Sequence, residues 1–311
     1  KSGIIISETN ITMKDGGAKA ILSLYRMNIK QIKKGSILKK CCGKWRANMR
    51  LGFIGAGNMA QAMIGGILAK EIVKKEDIIA SAATQNTIDK VAKEFGINVT
   101  LDNREVAKAD IVFLAVKPFY YEEVIDGIKD VVDEKQLIIS VAAGKSVEWV
   151  ENAFGGKKKI VRIMPNTPAL VGEAVTAICP NANITDGEKQ EIVELIASFG
   201  LAQIVSEKIM DAVIAVSGSS PAYVFMFIEA MADAAVAEGM PRVQAYQFAA
   251  QSVLGSAKMV LETGKHPGEL KDMVCSPSGT TIEAVKVLEE KGFRSSIIEA
   301  MSACADKSRN M

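Results

Sequence analysis

Two short stretches of this 311-residue chain carry residue types that could do chemistry together. The first is Gly55-Ala56-Gly57-Asn58-Met59-Ala60, where an apolar run passes into an amphipathic pattern. Its G-x-G-x-x-A spacing is that of a dinucleotide-binding turn. Gly55 permits the tight bend, Gly57 lets backbone approach a pyrophosphate, and Ala60 lets the helix lie close on the strand. The helix start then offers N–H groups and partial positive charge to the phosphates. The second stretch is Cys275-Ser276-Pro277-Ser278-Gly279-Thr280-Thr281, also ahead of a helical pattern. Hydroxyls and unpaired N–H groups there suit an anion the size of a carboxylate. Plain N-capping by Ser or Thr accounts for the same residues.

Further candidates lie between them. An NAD site normally ends its second strand in Asp or Glu, which reads the ribose 2′-hydroxyl. Here the strand runs out through Ala80-Ser81-Ala82-Ala83-Thr84-Gln85-Asn86. Without a carboxylate to repel a 2′-phosphate, NADP is expected, with NAD as the alternative. Ala115-Val116-Lys117-Pro118 and Ser140-Val141-Ala142-Ala143-Gly144 end two later strands, where ligands of open α/β sheets bind. Met164-Pro165-Asn166-Thr167-Pro168 forms a rigid loop whose amide could face a nicotinamide, or merely serve a turn. His266, the sole histidine, precedes Pro267 and reads as a structural loop residue.

The elements that must position these residues alternate at first. Strands are expected at 50–54, 77–82, 97–99, 110–116, 136–141, 159–164, 174–178 and 202–205. Helices are expected at 58–70, 87–95, near 103–108, and at 122–132, 147–154 and 186–199. Repeated βα units of this kind predict a doubly wound Rossmann-type sheet, α/β in class. After about residue 208 only helical patterns remain, over 209–216, 222–238, 242–263, 267–274, 281–291 and 294–309. Several are apolar on most faces, which predicts an all-α domain buried in an oligomer interface. The domains are therefore drawn at 49–208 for the dinucleotide and 209–311 for substrate and dimerisation.

Residues 1–48 stand apart. They hold nine Lys and two Arg against Glu8 and Asp15, a balance of +9 that leaves −7 for 49–311. This basic N-terminal extension is read as lying outside the fold, a leader or translated upstream segment with Met49 as the natural start. A targeting peptide and a basic arm for nucleic acid or anionic lipid are the other readings. No uninterrupted run of about 18 apolar residues is present. The five cysteines form no C-x-x-C pair and have no histidine cluster, so no metal site is expected and a reducing cytoplasm is the expected compartment. No nucleic-acid or membrane partner is expected for the body of the chain.

Taken together the motifs resemble the pyrroline-5-carboxylate reductases. The matching stretches are 53–60, 113–118, 140–144, 164–168, Ser217-Gly218-Ser219-Ser220-Pro221-Ala222-Tyr223, His266-Pro267-Gly268-Glu269-Leu270-Lys271-Asp272, 276–281 and Gly292-Phe293-Arg294. They cover 49–311 and none of 1–48. The resemblance implies NAD(P)H-dependent reduction of the cyclic imine 1-pyrroline-5-carboxylate to L-proline, the last step of proline biosynthesis. It also implies a homodimer with interlocked C-terminal helices, often set further into a ring of dimers. By match, Ser276, Gly279, Thr280 and Thr281 hold the substrate carboxylate, and the Thr281 hydroxyl lies at the imine nitrogen as the catalytic group. The cofactor positions by match are Gly55, Asn58, Met59, Ser81, Asn103, Ala115, Lys117, Pro118 and Ala142, with Gly57 added from the turn itself. Two positions depart from the family pattern: Ser278 and Ser220 replace glycines. If residue 278 needs a positive φ, serine there costs on the order of 1 kcal/mol.

Two rival functions fit part of the pattern. A β-hydroxyacid dehydrogenase would need an acid–base lysine, for which Lys258 is the candidate. A regulatory protein would hold NADP without turning it over.

Overall fold

The computed structural model describes residues 49–311; the basic extension lies outside them. An eight-stranded sheet fills the first part, in the order β3-β2-β1-β4-β5-β6-β7-β8. The strands are β1 (Leu51–Ile54), β2 (Ile78–Ser81), β3 (Asn98–Thr100), β4 (Ile111–Leu114), β5 (Leu137–Ser140), β6 (Lys159–Met164), β7 (Ala174–Pro180) and β8 (Gly200–Ile204). The strands β1, β4 and β5 are buried throughout, as near-continuous apolar runs covered by helices on both faces should be.

The covering helices are α1 (Asn58–Ala69), α2 (Gln85–Phe95), the short α3 (Asn103–Val106), α4 (Tyr121–Ile128), α5 (Val147–Ala153) and α6 (Asp186–Ile196). Local chemistry starts several of them. Thr84, Asp102 and Ser146 accept first-turn N–H groups of α2, α3 and α5, and Thr185 with Glu188 forms a capping box on α6. One core lies on the α1 and α6 face around Phe53, Met63, Phe113 and Phe199. Another lies on the α4 and α5 face around Leu114, Tyr121, Ile138 and Val150. Phe53 and Phe113 stack on adjacent strands with ring centroids 4.3 Å apart.

The sheet is parallel except at one place. β7 runs antiparallel to β6, pairing Val161 with Pro180 and Met164 with Ala177. The connection from Met164 to Ala174 holds only a 3-10 turn, Thr167–Val171. That is too short for the crossover a parallel partner needs, roughly a dozen residues or more, so the chain doubles straight back. β8 then pairs parallel to β7 after α6.

Beyond β8 every element is helical: α7 (Met210–Val213), α8 (Ser220–Ala237), α9 (Arg242–Thr263), α10 (Pro267–Val274), α11 (Thr280–Glu290) and α12 (Phe293–Arg309). Between α7 and α8 the Ser-Gly-Ser-Ser-Pro stretch does not interrupt the helix but widens it into a π turn, Ile214–Gly218. The Ser219 N–H donates to Ile214 O at 2.9 Å, the five-residue step of that geometry. Pro221 has no N–H for the Ser217 carbonyl one turn back, and the Asn166 amide supplies it instead at 3.1 Å. Ser220 Oγ donates to Val216 O at 2.8 Å, so this helix absorbs the serine without strain.

α8 buries only Ala232, and α9 only Ala245 and Ala249. Phe225, Met226, Val243 and Phe248 are each more than 60% exposed. By length and composition alone, the helical run Glu207–Ala237 is also long and apolar enough to cross a membrane.

Candidate active site

The cofactor turn shows why its two glycines differ. Gly55 has φ +96°, and a Cβ there would sit 2.8 Å from the Val116 backbone N. Bend and close packing against the end of β4 both exclude a side chain. Gly57 is exposed and has nothing within 4 Å of a hypothetical Cβ. The space beside it is the cradle a pyrophosphate would fill. Gly57 also N-caps α1 without any side-chain acceptor, which leaves the first-turn N–H groups to a ligand. Ala60 is fully buried against the sheet, Asn58 is exposed and Met59 is half-buried.

The other predicted cofactor residues converge on the same end of the sheet. Gly55 N donates to Ser81 O at 3.0 Å, and Ala115 N to Ile54 O at 2.8 Å, tying three strand ends together. Ser81 itself is fully buried, and its hydroxyl donates to Asn103 Oδ1 at 2.7 Å. It therefore stands behind Asn103 instead of facing solvent. Ala83, Thr84, Gln85 and Asn86 are exposed at the end of β2 with no carboxylate among them. Lys117 is exposed, Pro118 opens a 3-10 turn, and Ala142 is buried just after β5.

Asn166 does not reach toward that space with its whole amide. It donates to Ser217 O and accepts from Val175 N at 3.0 Å, stapling the ends of β6 and β7 to the π turn. The turn reading of this loop is the one the geometry favours. His266 is likewise structural: its Nδ1 accepts from Gly268 N at 3.0 Å and caps α10. Lys258 projects from α9 with its side chain 64% exposed and a loose 3.9 Å ion pair to Glu262.

At the predicted anion loop, Gly279 N donates to Ser276 O at 3.1 Å, and a Cβ on Gly279 would lie 2.3 Å from Ser276 Oγ. A side chain there would require the Ser276 hydroxyl to swing aside. Gly279 also N-caps α11 without a side-chain acceptor. Ser276 and Thr280 are exposed, Thr281 is half-buried in the first turn of α11, and α11 packs chiefly against α12.

Comparison with known proteins decides among the dehydrogenase families. The model described as pyrroline-5-carboxylate reductase dimerisation matches residues 207–311, and that of coenzyme F420-dependent NADP oxidoreductases matches 50–144. The pyrroline-5-carboxylate reductase of Escherichia coli K12 is 51% identical over 263 residues, covering 84% of this chain and 98% of that protein. The chain belongs to the pyrroline-5-carboxylate reductase family. Two solved reductases share its structure. That of Coxiella burnetii has a TM-score of 0.78 at 35% identity, over 85% of this chain and 98% of its own. That of Plasmodium falciparum, solved with NADP bound, has the same score and coverage at 34% identity.

In this reductase, Ser278 adopts φ +56°, the left-handed conformation that glycine would take freely. The serine in the anion loop is therefore a strained residue, as its departure from the family pattern implied.

The sequence reading overlooked Tyr121. Its hydroxyl is buried, donates to Leu114 O at 2.5 Å and lies 3.1 Å from the Val141 N–H that donates to it. Ser140 Oγ adds a third bond at 3.3 Å. Burial pushes the phenol up to about 12 while Ser140 and the Val141 amide pull the other way. The reductase thus fixes the ends of β4 and β5, where Ala115 and Ala142 sit, with one neutral hydroxyl. The only sequence signal was a tyrosine on the buried face of α4. A cavity of about 450 Å³ lies at the opposite, N-terminal ends of the central strands, lined by Met49, Asp110, Gln136 and Glu191, far from this chemistry.

Proposed function

We propose that this chain reduces 1-pyrroline-5-carboxylate to L-proline with NADPH, holding the cofactor at Gly55–Ala60 and the substrate at Ser276–Thr281. The observation that carries the substrate half is the Gly279-closed turn. It brings an uncapped helix start and the Thr281 hydroxyl into one short loop. The N–H groups of α11 and their partial positive charge receive the substrate carboxylate. The Thr281 hydroxyl then hydrogen-bonds the imine nitrogen and fixes which face of the ring is presented.

When bound at the glycine turn, NADPH supplies the hydride. Gly57 and the first turn of α1 receive its pyrophosphate. Asn58, Met59 and Asn103 line that approach, with Ser81 holding Asn103. Ala115, Lys117, Pro118 and Ala142 form the wall for the nicotinamide end. A protonated imine is already electrophilic, and hydride addition to its carbon leaves a neutral amine. No protein nucleophile is required, so the chain contributes alignment and charge placement.

The apolar faces of α8 and α9 suit a homodimer whose C-terminal helices interlock, with a ring of dimers as the larger assembly. That occupant also accounts for the apolar run Glu207–Ala237 without a membrane. A cytoplasmic location fits the free thiols of Cys179, Cys275 and Cys304.

Incubation with NADPH and pyrroline-5-carboxylate tests the reading. Imine-dependent loss of nicotinamide absorbance, with proline as product, is expected. Oxidation of 3-hydroxy acids instead, or NADPH binding with no turnover, refutes it.

A further inference from the structure

The loop that carries Ala142 is pinned at both ends by side chains from elsewhere. Tyr121 accepts from Val141 N at one end. At the other, Glu207 Oε1 accepts from Val147 N at 2.9 Å, across 60 residues of sequence. Val147 is the first residue of α5, so its N–H has no acceptor within the helix. Ser146 is already occupied by Trp149 N at 3.0 Å. The same Glu207 oxygen takes an ion pair from Arg162 Nη1 at 2.8 Å.

Stability alone is a poor reason for this arrangement. The Arg162 side chain is only 8% exposed, and its Nε is buried with no partner among the described residues. Burying a charge with an unmet donor costs several kcal/mol in general, and apolar replacements of such pairs are often neutral or stabilising. Glu207 also stands where the helical part of the chain begins, in the turn Glu207–Ile209 just before α7. One carboxylate therefore ties the loop after β5 to the part of the chain that bears the substrate loop.

We propose that Glu207 is a positioning residue for cofactor binding: it sets the pitch of loop 141–146 against the nicotinamide, and Arg162 offsets its charge. This rests on the reading that Ala142 and its neighbours touch the cofactor. Arg162 stabilises the geometry but does not itself touch the loop, which gives the two residues separable signatures.

Four variants test it, each assayed for NADPH KM, kcat and thermal midpoint. Arg162→Met leaves Glu207 able to accept from Val147, so NADPH KM should stay within about twofold. Arg162→Met with Glu207→Ala removes the acceptor without stranding a buried charge, and should raise NADPH KM about tenfold with kcat little changed. Replacing Ala by Gln in that pair restores an acceptor oxygen and should return KM most of the way. Glu207→Asp keeps the charge and the fold but retracts the oxygen, and should raise KM a few-fold. An NADPH KM that tracks the thermal midpoint across the set, or that stays flat in folded Glu207→Asp and the Ala pair, overturns the proposal. A wild-type chain that takes no NADPH overturns the cofactor reading as well, so the two failures are distinguishable.

Discussion

The Ser81 hydroxyl donates to Asn103 Oδ1 across 2.7 Å, joining the end of β2 to the first residue of α3. Ser81 is fully buried while Asn103 is half-buried. The serine therefore orients the asparagine, and the asparagine NH₂ is the group left to meet a ligand. Ser81→Ala should raise NADPH KM about fivefold, the worth of roughly 1 kcal/mol of hydrogen bonding, with kcat unchanged. Asn103→Ala should do at least as much. Steady-state kinetics at saturating imine checks both; a larger effect in Ser81→Ala than in Asn103→Ala would reverse the assignment.

The end of β2 makes a second prediction. Ala83 is exposed and no acid lies among Ala82–Asn86. Ala83→Asp places a carboxylate where a 2′-phosphate would approach, at no cost to the core. Charges of like sign a few ångströms apart near a protein surface repel by a few kcal/mol. The ratio of kcat/KM for NADPH over NADH should fall by about tenfold or more. An unchanged ratio would show that the 2′-phosphate lies elsewhere.

Much of this could be read from the residues because local constraints there are severe. Only glycine fits φ +96° at Gly55, and only an open position such as Gly57 leaves room beside the helix start. The strained Ser278 was legible for the same reason, since a residue in a glycine's place inherits its backbone. The reversal at β7 was hidden because strand patterning carries no direction, and only the length of the connection decides it. Asn166, Tyr121 and Glu207 were illegible as clamps. Their partners at Ser217, Val141 and Val147 are far apart in sequence, and backbone groups at that distance leave no pattern. The apolar patterns of α8 and α9 announce burial, yet their faces are exposed in the single chain.

Ser278 invites a gain in stability. With φ +56° it pays a steric cost that glycine would not. Ser278→Gly should stabilise by about 1 kcal/mol, less the extra freedom glycine gains in the unfolded chain. For a domain of this size that is a rise of roughly 2–4 °C in the melting midpoint. The measurement is calorimetry at matched protein concentration, since association also shifts the midpoint. A fall in the midpoint would mean that the serine side chain makes a compensating contact.

Thr281 should behave as a group that touches substrate only. Thr281→Ala leaves the α11 N–H groups and the Gly279 turn intact, because Gly279 and not Thr281 caps the helix. Turnover should drop about 100-fold, the low end for a positioned hydroxyl acting on the reacting nitrogen, while NADPH affinity measured by fluorescence stays constant. Thr281→Ser should recover much of the rate. Unchanged kcat/KM in Thr281→Ala would remove the residue from the mechanism.

Tyr121 provides a test in pH. Its phenol is pushed up to about 12 by burial, against an ordinary value of 10.0. Below pH 10 both folded and unfolded chains hold the proton, and the contribution to stability is present in full. Between 10 and 12 the unfolded chain releases it while the folded chain keeps it, so stability falls by about 1.4 kcal/mol per pH unit from this group. Tyr121→Phe keeps the ring in the core, and the Leu114 carbonyl retains the Val141 N–H as a donor at 3.3 Å. Near neutral pH the variant should lose only about 1 kcal/mol. From pH 10 to 11 it should lose less stability than the wild type, by about 1 kcal/mol. Cys179, raised to about 11 by burial, and Tyr223, also raised by burial, are present in both proteins and cancel in the difference. Urea unfolding at pH 8, 10 and 11 measures it; parallel curves for the two proteins would mean that the Tyr121 hydroxyl reaches solvent.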